Sequence, residues 1–230
     1  MFTYRFKLDD VVLLEIPVFL DGQPPGGDRE PVTEHPEWVK LSYKQCPNCP
    51  LDANEVENCP AAENLERIVA SFSDVVSYEE LEVEVEGHER FYSKHCPAQV
   101  GLKSLFGLVM ACSPCPILGQ FKAMAKYHLP FSNMNETMFR SLAFYLIAQL
   151  IVHRQGEAAP DWDLENLTGF YVEVSKVNRS FSERLAAAAQ ADANLNAMVK
   201  LNTVSAIASF GMDDFLGEMA DLFTATQLKE

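Results

Sequence analysis

The spacing of apolar residues changes once along this 230-residue chain, close to residue 98. Before that point the repeat is mostly two. Phe2, Tyr4, Phe6 and Leu8 alternate with Thr3, Arg5 and Lys7, the pattern of a strand with one buried face. Asp9-Asp10 interrupts the run and Val11 to Leu20 reads as a second strand, so a hairpin is predicted. Leu81, Val83 and Val85 alternate with Glu80, Glu82, Glu84 and Glu86. The turn Glu86-Gly87-His88-Glu89 then leads into Arg90-Phe-Tyr-Ser93 and predicts a second hairpin. Between the two, Asp21–Asp28 with Pro31 and Pro36 is a turn-rich surface loop. Pro60, with Asn58 or Cys59 near the cap, opens a helix carrying Leu65, Ile68, Val69 and Phe72.

After residue 98 the repeat is helical almost throughout, with helices predicted over 99–111, 116–127, 134–154, 163–189, 192–209 and 213–225. Leu164, Leu167, Tyr171, Val174, Phe181 and Leu185 form the apolar stripe of the longest one. Asp163 suits its N-cap and Trp162 packing at its start. The run Leu142–Val152 reads as a buried core helix, being far shorter than the roughly 20 residues of a membrane span. The predicted class is α+β: a small hairpin-based N-terminal part bearing a cysteine knuckle, packed on a C-terminal bundle of five to six helices. A division into residues 1–97 and 98–230 follows the change of repeat, but no linker separates the two, so one continuous domain is equally compatible.

Charge narrows the function. With 18 basic and 33 acidic side chains the formal charge is −15. Such a surface repels phosphate backbones and anionic headgroups, so neither nucleic acid nor a membrane is the expected partner. An unidentified protein partner of basic character, or self-association, fits better. The first 115 residues hold 9 basic and 20 acidic groups, and every cysteine. The N-terminus shows no apolar segment of signal-peptide type, which gives the expectation of a cytoplasmic protein, where structural disulfides are rare.

The six cysteines stand at 46, 49, 59, 96, 112 and 115, and all but Cys112 precede a proline. Two pairs have Cys-x-x-Cys spacing, Cys46-Pro-Asn-Cys49 and Cys112-Ser-Pro-Cys115. That spacing converges two thiolates on one ion across a tight turn, with backbone N–H groups left to donate to sulfur. Cys46, Cys49 and Cys59 supply three potential ligands, and Cys115, Cys112, Cys96 or His95 a fourth. Structural zinc is the first expectation, an iron–sulfur cluster the alternative, and plain burial of small apolar side chains the bland account. Thiol redox chemistry fits less well. Pro50 and Pro116 follow each second cysteine and remove an early helical N–H, and Glu55 and Glu57 stand near Cys59, whereas a low thiol pKa needs basic neighbours. Only Cys96, behind Lys94 and His95, has a locally favourable setting.

His128 closes a predicted helix before a proline, and Glu136 and Arg140 follow at i, i+4 spacing. Together they form a candidate acid–base group, against the bland reading of a helix-terminal histidine and a surface ion pair. No Gly-rich phosphate loop, His-Glu-x-x-His or Gly-x-Ser-x-Gly occurs, so no catalytic signature supports an enzyme.

The segments Trp38–Leu41, Cys46-Pro-Asn-Cys-Pro-Leu51, Cys59-Pro60, Gly101–Leu105, Cys115-Pro116, His128-Leu-Pro-Phe131, Asn178–Phe181 and Asp192–Asn196 resemble an uncharacterised bacterial family, a domain of unknown function. The resemblance spans most of the chain. It implies a bacterial cytoplasmic protein, no particular activity, and Cys46, Cys49, Cys59 and Cys115 as the metal set, with Cys96 and Cys112 outside it.

Overall fold

A computed structural model of the chain describes residues 1–21, 23–27, 34–156, 158–188, 191–220 and 222. Four strands form a single antiparallel sheet: β1 (Phe2–Leu8), β2 (Val11–Val18), β3 (Glu80–Glu86) and β4 (Phe91–Pro97), in the order β2-β1-β3-β4. Both predicted hairpins are present. The first turns at Asp9-Asp10, both residues at positive φ (46° and 64°), the two-residue connection that matches strand twist. The sheet also joins the hairpins, with Tyr4 opposite Val85 and Phe6 opposite Val83.

This register puts Phe2, Tyr4, Phe6, Leu14, Ile16, Val18, Leu81, Val83 and Val85 in the core. The opposite face carries charge. Arg5, paired across the ladders with Glu15 and Glu84, bonds both carboxylates at 2.9 and 3.0 Å, and Lys7 reaches Glu84 at 2.5 Å. The acidic alternation of β3 is thereby partly neutralised by its neighbour β1.

Helices α1 (Pro60–Ser71) and α2 (Ala98–Cys112) join the core that the apolar sheet face builds. Pro60 is the first residue of α1, where its missing N–H has no intrahelical partner to lose. Helix α2 crosses the sheet closely at Gly101. A Cβ there would lie 2.8 Å from Phe6 Cε1 and 2.9 Å from Val83 Cγ2.

The predicted helix over 116–127 is instead a 3-10 turn, Leu118–Phe121, followed by a short α3 (Lys122–Lys126). Gly119 lowers the helix propensity of the run, and the Gln120 N–H bonds the Ile117 carbonyl three residues back, the 3-10 pattern. The remaining helices agree with the sequence reading to within a few residues: α4 (Met134–Gln155), α5 (Glu165–Ala188), α6 (Ala193–Phe210) and α7 (Met212–Ala220). Helix α4 opens with a reciprocal capping box between Asn133 and Glu136 and stops at Gly156 with φ 71°. Part of the predicted loop (Asp28, Pro31) and part of the predicted end of α7 (221 and 223–225) lie outside the described residues.

Two local expectations are corrected. Leu142–Val152 is not buried all round: Leu142 packs inward, while Ile147, Leu150 and Ile151 are exposed. The stripe of α4 that is covered joins Met138 and Leu142 to Leu164, Leu167, Tyr171 and Phe215. Nor does Asp163 cap α5 or Trp162 pack at its start. Leu164 takes a positive φ of 62° and is buried, the Asp161 carboxylate accepts the Asn166 N–H at 2.9 Å, and Trp162 is exposed.

The main core joins the sheet, α1 and α2 to Val174, Val177, Phe181 and Leu185 of α5 and to Ala193, Ala197 and Met198 of α6. Its side chains thus come from both sides of residue 97. Among the described residues no helix is long and apolar enough to cross a membrane.

Candidate functional site

A clamped excursion of the chain carries the first cysteine pair. The Leu41 N–H donates to the Glu57 carbonyl and the Cys59 N–H to the Val39 carbonyl, each at 2.8 Å, and Lys40 pairs with Asn58 as an isolated bridge. Residues 42–57 therefore leave and return at one place. Within them the Cys49 N–H bonds the Cys46 carbonyl at 3.0 Å, the tight turn that Cys-x-x-Cys spacing requires. Cys59 is the residue before α1, and Cys115 follows the end of α2 by three residues.

These four cysteines line one cavity of about 20 Å³, together with Ile117, Phe181 and Arg184. All four are free thiols. Burial raises three of them, Cys46, Cys59 and Cys115. It pushes Cys46 up to about 11, with Cys59 beside it adding in the same direction. Burial also raises Cys59, opposed by the backbone N–H groups of Ala62 and Ala61 at the start of α1. It raises Cys115 likewise, opposed by the N–H groups of Leu118 and Ile117. Backbone N–H groups placed around a sulfur stabilise its thiolate. As they stand, among the described residues, no group of three or more His, Cys, Asp or Glu side chains is arranged to hold a metal ion.

The other thiols lie apart. Cys96 and Cys112 are buried and raised by burial, Cys112 to about 11, and neither lines this cavity. His95 is largely exposed, 3.3 Å from Glu80. Of the four possible fourth partners read from the sequence, Cys115 alone borders the space shared by Cys46, Cys49 and Cys59.

Arg184 is the feature that sequence reasoning missed. Its side chain is fully buried, and its Nη1 donates to the carbonyls of Trp38 and Lys40 at 2.8 Å and its Nη2 to Leu41 at 3.1 Å. Its Nε is buried with no acceptor, and among the described residues it has no carboxylate partner. A buried cation bonded only to neutral carbonyls is short of negative charge. The signal was available: Arg184 occupies a stripe position between Phe181 and Leu185, where an apolar residue is expected.

A second, larger cavity of about 150 Å³ lies between the helices and is bordered by His128 and Arg140, but not by Glu136. The candidate acid–base group is therefore split. Glu136 is spent on the capping box, accepting the Asn133 N–H at 2.8 Å. Arg140 Nη2 donates to the carbonyls of Met124 and Tyr127. His128 Nε2 lies 2.6 Å from the Tyr4 hydroxyl, which also bonds Ser104 at 2.8 Å. Burial, with Arg140 nearby, lowers the His128 pKa to about 3, so it is neutral at pH 7 and carries no charge toward a helix end. The residues missed here are Lys103 and Tyr171, which border the same cavity.

The profile of a family described as Domain of unknown function (DUF6901) matches residues 2–224. No curated protein and no solved structure matches the chain.

Proposed function

This chain belongs to the family described as Domain of unknown function (DUF6901), and from that premise we propose that it is a binding or scaffold protein tied together by structural zinc on Cys46, Cys49, Cys59 and Cys115. The observation that carries the reading is the meeting of these four thiols, from three separate segments, around one cavity that Arg184 also borders. A void of that size suits a single ion, since one water needs roughly 10–15 Å³. The thiols must draw closer to ligate. Zinc on four thiolates carries a net negative charge, and Arg184 is the buried cation that such a charge would offset. The N–H groups near Cys59 and Cys115 suit sulfur ligands in the same way.

The metal would supply no redox chemistry. It would fasten the excursion at residues 42–57 and the start of α1 to the segment leading into α3. The burial that raises Cys46, Cys59 and Cys115 works against thiol redox catalysis, which needs accessible thiolate. A net charge of −15 favours a basic partner.

Elemental analysis and an absorption spectrum of the anaerobically purified, untagged chain test the proposal. About one zinc per chain with no visible band supports it. Cys49→Ser should then lower both metal content and melting temperature. Iron with sulfide would replace zinc by a cluster and overturn the structural reading. Absence of any metal would overturn both.

A further inference from the structure

The larger cavity assigns itself by charge: we infer that it binds a small organic anion with an apolar body, a carboxylate of about benzoate size. Its volume is about 150 Å³, the size at which an apolar cavity takes a benzene-like guest. The chain has 33 acidic side chains against 18 basic ones. Yet among the described residues the wall of this cavity holds Lys103 and Arg140 and no aspartate or glutamate.

Neither cation is in contact with a carboxylate among the described residues, although Glu136, one turn before Arg140 on α4, lies near enough to act on its charge. Lys103 Nζ donates to the Ser132 carbonyl at 3.1 Å, and Arg140 Nη2 to two carbonyls at 3.0 Å. Among the described residues neither makes an ion pair of the kind that Arg5 and Lys7 make with Glu15 and Glu84. Both are partly buried, and burial, with Lys200 and Lys94 close to Lys103, disfavours the charged form of Lys103. An anion entering the cavity would relieve that cost, through charge-assisted bonds stronger than those to neutral acceptors.

The remainder of the wall suits the other end of such a ligand. Leu108, Leu118, Phe121 and Val174 supply apolar surface. Small pockets that combine apolar walls with a few placed polar groups are the usual form of a ligand site. None of the residues bordering this cavity borders the cysteine cavity, so the inference does not depend on metal.

Titration of the full-length protein with benzoate and with its neutral counterpart benzyl alcohol, followed by calorimetry, tests it. Benzoate should bind at least about tenfold more tightly than the alcohol. Lys103→Met and Arg140→Gln should each weaken benzoate by about tenfold and leave the alcohol unchanged. Val204→Phe, which fills the cavity from its wall without touching a charge, should abolish binding of both, and it serves as the folded control if a charge variant is unstable. Equal affinity for the two probes, no binding of benzoate, or benzoate binding that survives all three substitutions overturns the inference.

Discussion

Arg184, on α5, donates from Nη1 to the Trp38 carbonyl at 2.8 Å, across 146 residues of sequence. The same guanidinium reaches Lys40 and Leu41, so one side chain holds the base of the loop that carries Cys46 and Cys49. Arg184→Met should leave three carbonyls, those of Trp38 and Leu41 in buried bonds, without this donor and destabilise the fold by about 3 kcal/mol or more. Arg184→Lys should recover little of that, because an ammonium cannot reproduce the planar fork. Urea denaturation of both variants checks this, and a lysine variant as stable as the parent would contradict it.

A second expectation concerns which thiols matter. Cys112→Ser and Cys96→Ser alter buried thiols that do not border the shared cavity. Both should leave zinc stoichiometry unchanged, whereas Cys59→Ser and Cys115→Ser should each lower it. Metal analysis of the four variants side by side separates a site at the cavity from loose binding by any cysteine.

The pH dependence of stability should contain a contribution from His128. Its pKa falls from 6.5 unfolded to about 3 folded, so between those values the unfolded chain binds more protons. That contribution is fully present above pH 6.5 and is lost as pH falls toward 3, by at most about 1.4 kcal/mol per pH unit. Carboxylates held low, such as Glu84 beside Lys7 and Arg5, lose stability over lower pH as well. The comparison is therefore with His128→Gln, whose stability should fall less steeply between pH 6.5 and 4. Parallel curves for the two proteins would show that His128 is not buried neutral.

Close approach at Gly101 makes a simple packing test. A Cβ within 3 Å of both Phe6 and Val83 means that Gly101→Ala must separate α2 from the sheet or displace those side chains. Overpacking of this kind costs about 1–3 kcal/mol, opposite in sign to the usual gain from replacing a helical glycine by alanine. Thermal unfolding decides which effect wins.

Much of the fold was legible in local repeats. Phe2-Tyr4-Phe6 and Leu81-Val83-Val85 indicated their strands, and Leu167, Tyr171, Val174, Phe181 and Leu185 their helix face, and all are buried. The errors fell where a local pattern had more than one tertiary outcome. An apolar run such as Leu142–Val152 does not say how many sides will be covered, and Asp163 read as the cap of α5, whereas Leu164 takes a positive φ and the Asp161 carboxylate accepts the Asn166 N–H. His128, Glu136 and Arg140 were neighbours by spacing, but the capping box drew Glu136 away from the cavity.

What the chain determined by itself was the kind of most elements and, outside α4, the face they bury, because side-chain repeat depends on neighbours a few residues away. Cys-x-x-Cys spacing likewise implied a tight turn at Cys46 and Cys49 without any distant partner. Tertiary structure decided the rest: that β1 pairs with β3, that Cys115 and not Cys96 or Cys112 borders the space shared with Cys59, and that Arg184 lies buried beneath the loop. Those relations join segments far apart in sequence, and they are selected by packing the whole core at once rather than by any local preference.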